Sequence, residues 1–225
     1  MSSTIDLKHI NAWIFDLDNT LYPYENSLFP QIEKRIRNFV SKTLNVDKDE
    51  AHRIQKKYFH AYGTTMLGLM NDHGVDPYAF LEYVHDINIT KIQPDKNLSV
   101  AIERLPGQKF VFTNADYTYA NRVLNRIGFS NNAFDGIFDI ESAGWVPKPN
   151  PLTYQRMVGQ TGINPSKSVF FEDLARNLVP ASEMGMTTVW LKNDAEWTDL
   201  AAESFSADYV ITSLSSWLND IVEGL

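Results

Sequence analysis

The chain of 225 residues is 44% apolar, 12% aromatic and 21% charged, which suits one compact domain or a domain carrying a small insert and excludes a disordered or collagen-like polymer. Twenty basic residues against twenty-eight acidic ones leave a formal charge of −8 with no Lys/Arg cluster, so no nucleic-acid polymer is expected as a partner. Cysteine is absent, which removes disulfides, thiol catalysis, iron–sulfur clusters and cysteine-based zinc sites.

Residues Met1-Ser2-Ser3-Thr4-Ile5-Asp6 show no basic segment leading into an apolar one, and no apolar stretch nears the ~18 residues of a membrane span. The expected compartment is the cytoplasm, with no membrane contact. Trp13-Ile14-Phe15 predicts a short buried strand. A different pattern then fills residues 22–95. Leu28, Ile32, Ile36, Phe39 and Val40 make a helical stripe with Pro30 in its first turn, and residues 51–62, 66–71 and 77–85 read as further helices. Asn45, Gly63, Gly74 and Pro77 punctuate them, and Gln93-Pro94-Asp95 reads as a return linker. Phe110-Val111-Phe112 predicts the next strand, followed by a helix over 119–127 whose Ala120, Val123, Leu124 and Ile127 share one face. Gly128 ends that helix, Gly162 ends one over 154–161, and Gly185 ends one over 178–184. Residues 169–171, 187–191 and 209–211 predict three more strands. The sum is an α/β fold: a doubly wound, mostly parallel, Rossmann-like sheet from 1–21 and 96–225, interrupted by an all-helical block over 22–95.

Four polar clusters each fall at the C-terminal end of a predicted strand, the edge where ligands collect in such sheets. Asp16-Leu17-Asp18-Asn19-Thr20-Leu21 follows the first strand. Two carboxylates this close repel unless protons or a hard cation such as Mg²⁺ neutralise them. Thr113-Asn114 supplies a hydroxyl and an amide able to bond an anion. Lys148, between Pro147 and Pro149, sits on stiffened backbone, which helps place an ammonium. Glu172-Asp173 closes a strand with a second acidic pair, and Asn177 follows. Each cluster alone is also compatible with turn or helix-cap chemistry. Together they describe a Mg²⁺ site beside an anion cradle. The five histidines form no HExxH motif, and the glycine patterns of P-loop enzymes, dinucleotide enzymes and serine hydrolases are absent.

In order, Asp16-Leu17-Asp18-Asn19-Thr20-Leu21, Thr113-Asn114, Lys148 and Glu172-Asp173 resemble the four motifs of the haloacid-dehalogenase-like hydrolase superfamily across nearly the whole chain. The helical block resembles the cap of its phosphatase branch. A narrower resemblance is to the pyrimidine 5′-nucleotidase subgroup. It rests on Phe15 to Pro23, Tyr62-Gly63-Thr64-Thr65 with Gly68-Leu69, Tyr83-Val84-His85-Asp86, and Phe171-Glu172-Asp173 with Arg176-Asn177-Leu178.

The resemblance implies that Asp16 is the nucleophile and Asp18 the general acid and base, and that Lys148, Thr113 and Asn114 meet the phosphate. It also implies that Asp16, the Asp18 carbonyl and Asp173 hold Mg²⁺, with Glu172 acting through water. Asn177 stands where other members carry a second carboxylate, and an acid at Asp18 argues against a dehalogenase. Tyr24, Tyr62, Thr64, Thr65 and His85 are candidates to read the leaving group, with Phe29, Phe39, Phe59 and Phe80 as cap core. The expected partner is a small phosphate ester, a pyrimidine nucleotide first. A sugar phosphate, flavin mononucleotide, pyridoxal phosphate and a non-catalytic phosphate binder are the alternatives. No protein partner is implied.

Overall fold

A computed structural model describes residues 7–26, 28–193 and 205–224; Met1–Asp6 lie outside them. Six strands form one parallel sheet among the described residues: β1 (Ala12–Phe15), β2 (Gln108–Phe112), β3 (Gly136–Phe138), β4 (Ser168–Glu172), β5 (Thr187–Leu191) and β6 (Tyr209–Ile211). Their order is β3-β2-β1-β4-β5-β6. β1 is central, paired in parallel with β2 on one side and β4 on the other. The chain builds outward on one side and then crosses to the other, which opens a crevice beyond the end of β1.

The period of two along β1 explains why all four of its residues are buried. Trp13 and Phe15 join one apolar cluster with Val111, Val169 and Phe171, while Ala12 and Ile14 join another with Phe110, Phe112 and Phe170. Phe15 stacks on Phe171 at 4.7 Å between ring centroids. Helices α5 (Lys96–Arg104), α6 (Tyr117–Ile127), α7 (Pro151–Thr161), α8 (Ala175–Glu183) and α9 (Leu214–Gly224) accompany the sheet.

Between β1 and α5 lie α1 (Phe29–Leu44), α2 (Lys48–Tyr62), α3 (Thr65–His73) and α4 (Pro77–His85). Side-chain caps start three of them: Asp47 accepts from Asp49 and Glu50, Thr64 from Leu67, and Asp76 from Tyr78. The four helices have their own cluster, including Val40, Ala51, Tyr58, Leu69 and Phe80. Two arginines of α6 hold the return segment: Arg122 donates to the carbonyls of His85 and Ile87, and Arg126 to those of Thr90 and Ile92.

The five expected strands are present, and three elements were not expected. β3 has three residues, begins with glycine and sits at the sheet edge, so its apolar signal is weak. α5 follows the linker at once, capped by the Asp95 side chain accepting from Leu98. α9 follows the last strand. α7 starts earlier than its apolar face implies because Asn150 caps it and Pro151 occupies its first turn. Among the described residues no helix is long and apolar enough to cross a membrane.

The helices α2 and α3 approach closely at Gly68, where an added Cβ would lie 2.3 Å from Cγ of the buried Tyr58. Gly68→Ala should therefore cost about 1–3 kcal/mol by overpacking. Gly159 is inside α7 with open space around its Cα. Gly159→Ala should stabilise by about 0.5–1 kcal/mol. Thermal unfolding of the two variants checks both signs.

Candidate active site

The strand ends bring the predicted clusters together. Asp16 follows β1 directly, and its N–H donates to the Phe171 carbonyl at 2.9 Å, extending the pairing with β4 by one residue. Thr113 extends β2 in the same way, through a 3.0 Å bond to the Phe138 carbonyl. Glu172 is the last residue of β4, and Asp173 follows it. Lys148 was expected at a strand end as well, but β3 stops at Phe138, and the lysine reaches the same point from the loop before α7 on its long side chain.

Lys148 is 1% exposed, and its ammonium donates three hydrogen bonds: to Asp16 Oδ1 at 2.7 Å, Glu172 Oε2 at 2.7 Å and the Phe112 carbonyl at 2.8 Å. Its Nζ also lies 4.9 Å from the Phe112 ring centroid and 5.3 Å from that of Phe170. Burial works against the charged form, yet Asp16 and Glu172 outweigh it and hold Lys148 above its ordinary value. Asn114 sets the lysine's backbone: its Oδ1 accepts from the Lys148 N–H at 2.8 Å and its Nδ2 donates to the Lys148 carbonyl at 3.2 Å. The amide expected to meet an anion is thus engaged at both ends by Lys148. Thr113 Oγ1 accepts from the Ala115 N–H, and its own hydroxyl proton is uncommitted among the described residues.

The second oxygen of Asp16 accepts from the Thr20 hydroxyl at 3.2 Å. Burial first, and the Glu172 charge next, push the Asp16 carboxyl up to about 7 despite Lys148. Asp173 is held well above its usual value by burial and by the charges of Glu172 and Asp16. Among the described residues, ligand atoms of Asp16, Glu172 and Asp173 all lie within 4.8 Å of one another, and all three residues are buried. Lys148 pairs with Asp16 and Glu172 and not with Asp173, so the buried cluster holds more carboxyl groups than ammonium groups.

An all-oxygen donor set of this kind fits a hard divalent cation such as Mg²⁺. A second observation agrees. Asn19 Oδ1 and Asn177 Oδ1 are buried at the same cavity, and neither accepts a hydrogen bond. Both oxygens of Glu172 are already engaged, Oε2 by Lys148 and Oε1 by the Leu174 N–H.

Asp18 stands apart from the cluster. Its Oδ1 accepts from the Tyr22 hydroxyl at 2.6 Å and the Tyr119 hydroxyl at 2.7 Å. Burial raises its pKa, and the two phenol bonds oppose that rise. From the sequence Tyr22 was read only as part of the Phe15 to Pro23 resemblance and Tyr119 only as the start of a helix, and neither was given a role at the site. Asn19 was also passed over. It holds a left-handed conformation at φ 61°, which asparagine tolerates better than most residues, and its Nδ2 lies 3.5 Å from Asp173 Oδ2.

A cavity of about 200 Å³ opens from this cluster toward α1–α4. Thr64, Thr65 and His85 line it, and so do Phe29, Phe59 and Phe80, which were expected as cap core. The inner faces of these helices serve as both core and wall. Tyr24 and Tyr62 are not among the lining residues; Tyr24 lies in a short 3-10 turn and Tyr62 donates to Asp72 on an exposed face. Gln55, unnoticed in the sequence, is buried in this wall, and its Oε1 accepts no hydrogen bond.

Residues 10–185 match the family model described as haloacid dehalogenase-like hydrolase. The chain belongs to that family. Among curated relatives, it is 27% identical over 192 residues to Phosphate metabolism protein 8 of Saccharomyces cerevisiae, covering 78% of this chain and 59% of the yeast protein. It is also 27% identical over 233 residues to Glyceraldehyde 3-phosphate phosphatase of Methanocaldococcus jannaschii, covering 96% of this chain and 98% of the archaeal one. The crystal structure of a HAD phosphatase from Thermococcus onnurineus shares the fold at a TM-score of 0.63 and 20% identity, over 96% of this chain and 99% of that chain.

The raised carboxyls set a pH dependence. A group held above its unfolded value of 3.8 stabilises the fold fully below that value and loses this contribution as pH rises through the raised one, about 7 for Asp16. Metal-free protein should therefore melt lower at about pH 8 than at about pH 5. Added Mg²⁺ should raise the melting temperature more at the higher pH, where its ligands are ionised. Asp173→Asn should remove most of the Mg²⁺ shift. Thermal unfolding with and without a chelator measures all three, and a Mg²⁺ shift equal at both pH values would contradict the assignment.

Proposed function

We propose that this chain is a Mg²⁺-dependent phosphomonoesterase that works through an aspartyl-phosphate, with a pyrimidine nucleoside 5′-monophosphate as its preferred substrate class. The observation that carries the reaction is the convergence of Asp16, Lys148, Glu172 and Asp173 at one buried point, beside a cavity open to the helical insert. The family match and the phosphatase names of two relatives support it.

In the first half, an Asp16 oxygen bonds to phosphorus, and the phosphorus–ester bond breaks with its electron pair leaving on the alcohol oxygen. That oxygen takes the proton of Asp18. In the second half, water bonds to phosphorus and gives a proton back to Asp18, while the bond to Asp16 breaks and restores the carboxylate. Lys148 holds one Asp16 oxygen and Thr20 the other, which limits rotation of the nucleophile. Thr113 has a hydroxyl proton to offer a phosphate oxygen. Asp16, Asp173 and the Asp18 carbonyl would hold Mg²⁺, with Glu172 beside them. The ion would offset the repulsion between a carboxylate and a dianionic phosphate.

Two features favour a flat, single-ring leaving group. The cavity is smaller than the ~300–1,000 Å³ that accommodates drug-sized ligands. Its insert wall is mostly apolar, through Ile32, Ile36, Phe59 and Val84, with Gln55 as a buried amide lacking an acceptor bond. An apolar face with one polar edge matches a pyrimidine. In this reading α1–α4 form a cap that excludes water. The archaeal relative named for glyceraldehyde 3-phosphate favours a second reading, a small sugar phosphate.

A panel of phosphate esters assayed with Mg²⁺ separates the two. Uridine and cytidine monophosphates should exceed ribose 5-phosphate in kcat/KM, and the reverse order would select the sugar reading. Gln55→Leu should lower kcat/KM for the pyrimidine nucleotides about two- to tenfold, the worth of one hydrogen bond, and leave ribose 5-phosphate unchanged. Asp16→Asn should abolish turnover by several orders of magnitude while the protein still melts cooperatively. Phosphate release unchanged in that variant would remove Asp16 as nucleophile.

A further inference from the structure

We propose that Tyr22 and Tyr119 are positioning residues that orient the Asp18 carboxyl so that Oδ2 is the oxygen that gives and takes the proton, and that His85 of the helical insert braces Tyr119 for this task. The proposal rests on the phosphatase reading above and gives these residues a role that the motif resemblance does not state.

The geometry is specific at the atomic level. Both phenols donate to the same oxygen, Oδ1, at 2.6 and 2.7 Å. A carboxylate oxygen has two in-plane lone pairs, so two donors fill it. Placing the acid's proton on Oδ1 would displace one of them. Oδ2 forms no hydrogen bond among the described residues, and Asp18 lines the cavity. Burial and the Asp18 charge hold both phenols well above their ordinary pKa, so each stays a donor.

The two tyrosines come from different parts of the fold, Tyr22 from the loop after β1 and Tyr119 from the first turn of α6. They therefore fix the carboxyl plane from two directions. Tyr119 is itself held. Its N–H donates to Asp116 Oδ1 at 2.8 Å, and its ring stacks on His85 with centroids 4.2 Å apart and 18° between planes. His85 Nδ1 is 2.5 Å from Asp116 Oδ2, and the His85 carbonyl accepts from Arg122 at 3.1 Å. Asp116 thus ties the backbone of Tyr119 and the ring of His85 to one point. His85, expected to contact the leaving group, has its Nδ1 engaged by Asp116 and one ring face covered by Tyr119. Its place on α4 links docking of the insert to orientation of the acid.

The test uses the dependence of rate on leaving group. An alcohol leaves slowly without a proton, whereas p-nitrophenolate leaves without one. Single-turnover release of uridine from its 5′-monophosphate and of p-nitrophenol from its phosphate reads the first displacement alone, with Mg²⁺ present. Tyr119→Phe and Tyr22→Phe should each slow uridine release about tenfold or more, a share of the ~10²–10⁴ that general acids supply. Half-saturation and p-nitrophenol release should stay within about twofold. His85→Ala should show the same selective loss, and His85→Phe, which keeps a ring over Tyr119, should recover it.

Equal slowing of both esters, or a change confined to half-saturation, would overturn the proposal, as would unchanged rates. Each Tyr→Phe variant lacks only a hydroxyl, and a cooperative melt confirms that it and the His85 variants fold. Wild-type protein that releases neither product would overturn the phosphatase reading itself, a result distinct from a loss of selectivity in the variants.

Discussion

The rest of the site depends on one buried cation. Lys148 spends all three of its N–H groups on Asp16, Glu172 and the Phe112 carbonyl, with the rings of Phe112 and Phe170 beside it. Burying a carboxylate is costly unless it is paired, and of the three that gather here Lys148 pairs with two, Asp16 and Glu172. Burial first, and the charges of the neighbouring carboxylates next, raise the pKa values of Asp16 and Asp173. A divalent cation held by these oxygens would offset the cost of ionising them. The sheet makes this possible. β1 carries no polar residue and is buried on both faces, so it projects Asp16 from a rigid, dry platform between β2 and β4.

The helical insert and the sheet meet through a small number of polar clasps laid over apolar surface. Arg122 and Arg126 grip the return segment, and Arg176 packs its guanidinium 4.2 Å over the Phe59 ring while donating to the Gly63 carbonyl at 3.4 Å. His85 closes against Asp116 and Tyr119. Of these residues Phe59, Gly63, His85 and Arg176 line the cavity, so its wall and the joint between the two parts share residues. In the proposed function this sharing lets one closed arrangement both exclude water and orient the acid.

Much of this was legible from residue order. Alternating apolar strands, helices ended by Gly128 and Gly162, and polar clusters beyond strand ends are local patterns with a period, and the fold reproduces them. β3 escaped because three residues with a glycine carry too little pattern, and α5 because its capping aspartate reads equally as linker. The contacts of Tyr22, Tyr119 and Gln55 escaped for a different reason. A tyrosine on an apolar face looks like core whether or not its hydroxyl meets a carboxylate 101 residues away. Asn114 read as an anion donor because sequence does not reveal that a backbone 34 residues on takes both ends of its amide.

Residue types and their spacing along the chain were enough to specify a parallel α/β sheet with a helical interruption and acidic groups at its functional edge, since strand and helix periods and turn chemistry are encoded within a few neighbouring positions. Which oxygen of Asp18 is clamped, which carboxylates crowd the lysine, and which helix faces become cavity wall were settled by packing. Those facts depend on distances between atoms far apart in the chain. Burial and hydrogen-bond direction acquire values only when the layers come together.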